Sequence, residues 1–171
     1  MPPYIALLRA VNVGGTGKLP MAELKAMGEQ AGFVKVRTFI ASGNLVFEST
    51  QTEKQVTAAL ASRLAAYAGK PVNVLVRTGA EMAAVLAANP FAGEPPNRVM
   101  AIFLDRAPPA DALDRVTGRK DERIVLGQRE IYVHYSSGMA DSRLKIAAAA
   151  AGTARNINTV AKLAAMATPS R

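Results

Sequence analysis

Residues 4–20 have the sequence YIALLRAVNVGGTGKLP, in which an apolar run leads into a glycine-rich loop. Tyr4 to Arg9 is apolar on both faces, which is typical of a central strand of a sheet. Pro20 stands directly before a stretch with helical spacing, as proline often does at the start of a helix. These residues therefore predict a buried strand, a loop and a helix in that order.

The next residues continue this alternation. Apolar residues at helical spacing predict helices over Met21 to Ala31 and over Thr52 to Tyr67. Further strands are predicted over 34–40, 45–48 and 72–76. Ser42-Gly43-Asn44 joins the first two of these strands as a hairpin. The resulting order, βαββαβ, is that of a ferredoxin-like unit.

The rest of the chain repeats part of this order. Strands are predicted over 99–104, 123–126 and 130–135, and helices over 79–88, 109–116, the alanine-rich 139–151 and 157–167. Asn156 or Thr153 is expected to cap the last helix. We expect an α+β fold of two ferredoxin-like βαββα(β) halves packed together, with an extra C-terminal helix. The halves span 1–78 and 79–171, as two units or as one compact domain.

Composition narrows the class of protein. Half of the 171 residues are hydrophobic, which is enough to bury a core. The sequence has no cysteine, no signal-peptide pattern and no membrane-spanning run, so we expect a cytoplasmic protein without disulfides. His134 is the sole histidine, which leaves little for a zinc site or a Ser-His-Asp triad. We therefore expect neither a metal nor a cofactor.

The formal net charge of +8 favours anionic partners. The last 30 residues contain five basic residues and no acidic one. An anionic small molecule and a nucleic-acid backbone both fit this charge, and solubility alone also explains it. No membrane partner is expected, and a monomer is the expected state.

The loop after the first strand predicts an anion site. Gly14 and Gly15 can turn their backbone N–H groups towards a ligand, and Arg9 and Lys18 add positive charge. A phosphate-binding P-loop is not indicated, because its first glycine and its Ser or Thr are replaced by Asn12 and Leu19. The alternative interpretation is a plain strand-to-helix turn.

Four motifs resemble a bacterial family, the "domain of unknown function 1697". They are Arg9-Ala10-Val11-Asn12-Val13-Gly14-Gly15, Met21-Ala22-Glu23-Leu24, Ser42-Gly43-Asn44 and Thr153-Ala154-Arg155-Asn156-Ile157-Asn158-Thr159-Val160. Ala10 replaces the usual glycine of the family pattern, and Ile157 replaces its usual tryptophan. The family has no established activity, so the resemblance implies motif residues and a fold but no substrate.

The loop and the resemblance together give a set of candidate ligand-binding residues: Arg9, Asn12, Gly14, Gly15, Lys18, Ser42, Asn44, Arg155, Asn156 and Asn158. Several have structural alternatives. Asn12 and Asn44 can stabilise turns, and Asn156 and Asn158 can serve the start of the last helix. Arg155 can pair with a carboxylate or a carbonyl.

Two functional hypotheses follow. The first is a binder of a phosphate-bearing or other anionic ligand, with Arg9, Lys18 and Arg155 converging on one cleft. The second is an enzyme acting on a phosphorylated or carboxylated metabolite, which also needs an acid/base group or a metal. His134 is expected to be a partly exposed strand residue, and Asp121 and Glu122 to be solvated surface. The binder is favoured because it needs only the cations.

Overall fold

The computed structural model describes residues 1–9, 19–40 and 43–167. It confirms the α+β class, with four α-helices and two four-stranded antiparallel sheets in these ranges. The chain divides into two compact units. The first contains the described residues of Met1–Met82 and Leu163–Arg171, and the second is Ala83–Lys162. The sequence-based boundary after residue 78 stays a prediction.

The first unit has the predicted ferredoxin-like order. Its elements are β1 (Pro3–Leu8), α1 (Met21–Gln30), β2 (Val34–Thr38), β3 (Asn44–Glu48), α2 (Glu53–Ala68) and β4 (Val74–Thr78). The sheet order is β2-β3-β1-β4, and every neighbouring pair is antiparallel. The strand with two apolar faces, β1, therefore lies in the interior of the sheet, as predicted.

Two crossover helices cover one face of this sheet. Val56, Leu60 and Leu64 repeat at helical spacing on α2 and are buried in the core. Thr52 and Gln55 form a capping box at the start of α2, with each side chain accepting from the other's backbone N–H. Local sequence signals and core packing thus agree in this helix.

The second unit repeats the sheet order. Its four-stranded sheet contains β5 (Val99–Phe103), β7 (Arg123–Leu126), β8 (Glu130–His134) and β10 (Thr153–Asn156). The order β10-β5-β8-β7 matches that of the first sheet strand for strand. The predicted hairpin of β7 and β8 is confirmed. Two further helices, α3 (Gly79–Ala87) and α4 (Ile157–Ala167), each contain a boundary between the units.

The helices predicted over 109–116 and 139–151 are wrong. These segments contain 3-10 turns at Ala112–Arg115 and Ala147–Ala149, and two short strands, β6 (Val116–Thr117) and β9 (Lys145–Ile146). β6 and β9 pair with each other. Pairing at Lys145 and Ile146 leaves only five alanines before Gly152, and a helix that short does not repay its nucleation cost.

None of the helices in the described ranges is long and apolar enough to cross a membrane.

Candidate functional site

The end of β1 brings two of the sequence motifs together. The backbone N–H of Leu8 donates to the carbonyl oxygen of Gly43 at 2.9 Å, and that of Arg9 donates to the carbonyl of Asn73 at 3.1 Å. Leu7 lies opposite Asn44 in the sheet register. The loop that follows Arg9 therefore starts beside the hairpin turn that carries the Ser-Gly-Asn motif.

This hairpin turn has a strained backbone. The buried Asn44 donates from Nδ2 to the carbonyl of Phe39 at 2.8 Å, and the N–H of Phe39 donates to the carbonyl of Asn44 at 3.1 Å. Between them Ile40 has φ +49° and a relative exposure of 49%. A left-handed φ is unusual for a β-branched residue, and such strain often accompanies functional loops. Asn44 thus has the structural role of closing a strained turn.

Arg9 is exposed, one residue beyond the end of β1. An arginine at the end of a central apolar strand would be costly to bury without an anionic partner, but Arg9 is not buried and this cost does not arise. Its exposed guanidinium is accessible to an anion. The chain after this loop enters α1 through Pro20, which provides no side-chain cap. The other candidates of this region lie outside the described residues: Asn12, Gly14, Gly15, Lys18 and Ser42.

The C-terminal motif lies at β10 and the start of α4. Arg155 is buried on β10 and donates from Nη1 to the carbonyl of Ala154 at 2.9 Å. Burial lowers the pKa of Arg155 to about 10, so it is still a cation at neutral pH. The Oδ1 of Asn156 accepts from the N–H of Thr159 at 2.9 Å, which confirms the predicted cap, and Asn158 is exposed. The convergence of Arg9 with Arg155 stays a prediction.

A second buried arginine occupies the matching position of the first sheet. Arg77 on β4 is 1% exposed and, like Arg155, donates from Nη1 to the preceding carbonyl, that of Val76, at 3.1 Å. Each arginine is followed by a residue whose side chain accepts from an N–H in the first turn of the next helix, Thr78 for α3 and Asn156 for α4. Sequence reasoning missed this repeat, although the spacing from arginine to helix start is the same.

A polar cluster around His134 was also missed. His134 pairs with Arg123 across β7 and β8, and its Nδ1 lies 3.2 Å from the Nη2 of Arg123 and 3.2 Å from the Oγ of Ser136. Glu94 reaches both basic residues, with Oε1 2.8 Å from Arg123 Nη2 and Oε2 3.4 Å from His134 Nε2. The guanidinium of Arg123 lies 5.1 Å from the ring centre of Phe91. We call these five residues the His134 cluster.

The expected partial exposure of His134 is wrong, because its side chain is 5% exposed. The pKa of Glu94 is lowered from its ordinary value mainly by the hydrogen bond from Arg123, and to a smaller extent by the nearby His134. The hairpin register alone could have placed Arg123 opposite His134. Nothing local in the sequence connects Glu94 to them, since it lies on a loop 29 residues before Arg123.

The expected solvation of Glu122 is wrong as well. Glu122 is buried and accepts from the Oγ–H of Ser142 and from the N–H of Lys120, both at 2.6 Å. These hydrogen bonds, the one from Ser142 first, lower the pKa of Glu122 to about 2. Glu122 thus joins the two connections of the second sheet that the sequence predicted as helical. In the described ranges, no group of three or more His, Cys, Asp or Glu residues could hold a metal ion.

Comparisons with known proteins identify the family and the fold. The model of a family described as "Protein of unknown function (DUF1697)" matches residues 1–132. No protein with a curated description matches the chain. A solved structure, that of the conserved bacterial protein SP0830 from Streptococcus pneumoniae, aligns with a TM-score of 0.81 and 24% sequence identity. The alignment covers 98% of this chain and 99% of the other.

Proposed function

We propose that this chain, which belongs to the DUF1697 family of proteins of unknown function, binds a phosphate-bearing or other anionic ligand at the end of β1. The ligand contacts the guanidinium of Arg9 and the amides of Gly14 and Gly15. The hydrogen bond from Leu8 to Gly43 carries the proposal, because it ties the start of this loop to a second family motif. Lys18 and Ser42 remain proposed ligand residues.

Three properties of the described residues support this function. Arg9 is exposed, and its backbone N–H is bonded at the end of the central strand β1, so its side chain is available to an anion. The neighbouring turn holds Ile40 in a strained conformation beside the same strand end. The loop leads into a helix whose N-cap, Pro20, has no side-chain acceptor, and helix N-termini favour anions.

Binding is preferred to catalysis at the end of β1 because of the side chains found there. The described residues at this strand end include Arg9, Gly43, Asn44 and Asn73, and none of these four offers a carboxylate or an imidazole for proton transfer. Charge stabilisation alone is rarely a complete mechanism. The observations at the end of β1 therefore support a protein that binds an anion without converting it.

The experiment is a thermal-shift screen with inorganic phosphate, a sugar phosphate, a nucleotide and a short single-stranded oligonucleotide. A ligand that binds the native state raises the melting temperature, and titration calorimetry then gives its Kd. Arg9→Ala is expected to weaken binding about tenfold, the value of one charge-assisted hydrogen bond. Arg9→Lys should restore only part of the affinity, because the guanidinium fork is lost.

Arg106→Ala is the matched control, since it removes one exposed arginine of the second unit. Equal losses from Arg9→Ala and Arg106→Ala would show that only net charge matters. A screen without any stabilising compound would contradict the anion site. Conversion of a stabilising compound to a product in the same samples would instead support an enzyme acting on a phosphorylated or carboxylated metabolite.

A further inference from the structure

In the His134 cluster, Arg123 and His134 both direct hydrogen-bond donors towards the carboxylate of Glu94. Glu94 forms a good hydrogen bond with only one of them, Arg123. Nη2 of Arg123 donates to Oε1 of Glu94 at 2.8 Å and also lies 3.2 Å from Nδ1 of His134. A guanidinium can only donate, so Nδ1 must accept, and the proton of the neutral imidazole is on Nε2. That Nε2 is buried and has no hydrogen-bond partner among the described residues.

The unsatisfied Nε2 points to a ligand position. The Oε2 of Glu94 lies 3.4 Å from this Nε2, beyond the distance of a good charge-assisted hydrogen bond. The two oxygens of one carboxylate are thus shared between two donors, but only the bond to Arg123 is well formed. Buried polar atoms without partners are rare in native proteins, and each one calls for an explanation.

We propose that Arg123 and His134 form a binding site for a carboxylate ligand, and that Glu94 occupies this site as an internal ligand. An external carboxylate replaces Glu94 on Arg123 and accepts the Nε2–H of His134 at full hydrogen-bond distance. The site lies within the second unit and uses no residue of the site proposed at the end of β1.

Exposure and local structure allow this exchange. The side chains of Glu94 and Arg123 are 38% and 50% exposed, and exposed ion pairs of this kind are easily opened. The backbone of Glu94 is fixed in a turn by its N–H to the carbonyl of Phe91, so rotation of the side chain is enough to release the carboxylate. The fixed parts, His134 and Phe91, are buried.

The surroundings indicate what else the ligand carries. Phe91 lies beneath the guanidinium of Arg123, and Val125, two residues along the same strand, is 39% exposed. Residues two apart on a strand share a face, so an apolar side chain borders the charged site. A carboxylic acid with a short apolar chain, such as butyrate, matches this combination.

The single histidine makes the test direct. In protein labelled with 13C-histidine, the imidazole signal of His134 is followed at pH 8 while butyrate is added at constant ionic strength. A saturable shift is expected in the natural protein. In Glu94→Gln the internal ligand loses its charge, and if Glu94 fills the site for about nine-tenths of the time, the affinity for butyrate rises about tenfold.

Comparisons with three variants and with inorganic phosphate decide the outcome. Asp105→Asn removes an exposed acid of the same unit and should leave the affinity unchanged, whereas Arg123→Gln should abolish binding. The proposal is overturned if Glu94→Gln binds butyrate no more tightly than the natural protein, or if Arg123→Gln still binds it. An equal shift with inorganic phosphate would also overturn it, because the site would then be a general anion site and not a carboxylate site.

Discussion

The two sheets have the same strand order, but the connections that cross them are built differently. In the first unit these connections contain helices of 10 and 16 residues, which pack over the sheet. In the second unit they contain only 3-10 turns and the two-residue strands β6 and β9, which pair with each other. The order of strands therefore does not require the helices, provided that the connections cover the apolar face of the sheet.

The two kinds of connection are stabilised by different interactions. On α2, fully buried leucines and a capping box join a regular helix to the core. In the second unit the connections form a two-stranded ribbon of β6 and β9. This ribbon is fixed by the carboxylate of Glu122 and by a close approach of Gly118 to Arg143. An apolar stripe is tolerant of small displacements, whereas hydrogen bonds and close backbone contacts demand one geometry.

The largest expected effect is in the helical connection. Leu60→Ala removes a fully buried side chain from α2 and should lower the free energy of unfolding by about 2–5 kcal/mol. Leu113→Ala, in the 3-10 turn of the second unit, should cost only about 1 kcal/mol, because Leu113 is half-buried. Urea denaturation of both variants checks this difference. Equal losses would show that the turns contribute as much burial as the helix.

The next effect concerns two glycines with nearly the same backbone angle. Gly118 has φ +70°, and a Cβ there would lie 2.0 Å from the carbonyl oxygen of Arg143. Gly69, which ends α2, has φ +71° and nothing within 4 Å of such a Cβ. Gly69→Ala should therefore cost about 1–2 kcal/mol, the penalty of the left-handed conformation, and Gly118→Ala about 2–4 kcal/mol.

Chemical denaturation of both glycine variants measures the difference directly. A Gly118→Ala protein as stable as Gly69→Ala would mean that the backbone of β6 and β9 can shift at little cost to make room for the added Cβ. The second unit would then be less tightly specified than its backbone contacts indicate.

The smallest effect depends on pH. The folded-state pKa of Glu122, about 2, lies below its usual value of 4.5, so the carboxylate stabilises the fold above pH 4.5. This contribution is lost as the pH falls from 4.5 towards 2. Glu122→Gln should therefore melt a few degrees below the natural protein at pH 7, and the difference should shrink between pH 4.5 and pH 3.

Glu29→Gln is the control, since Glu29 is an exposed residue of α1. Scanning calorimetry at pH 7, 4.5 and 3 compares the three proteins. A difference between Glu122→Gln and the natural protein that stays constant over this range would contradict the role of the charged carboxylate.

Local sequence patterns determined most of the first unit and part of the second. The apolar faces of β1, the helical spacing of Val56, Leu60 and Leu64, and the hairpin of β7 and β8 are confirmed. The cap at Asn156 was predicted as well. Each of these signals lies within a few residues of the element that it specifies, so it can be recognised in the sequence without knowledge of the tertiary structure.

Only the tertiary structure decided the conformation of residues 139–151 and the burial of His134 and Glu122. The alanines favour a helix locally, but the pairing of Thr117 with Lys145 interrupts the segment, and the five alanines that follow are too few for a stable helix. Glu94 reaches His134 from 40 residues away, and Ser142 reaches Glu122 from 20. Burying an imidazole or a carboxylate is favourable only where such distant partners satisfy it, and no local pattern records those partners.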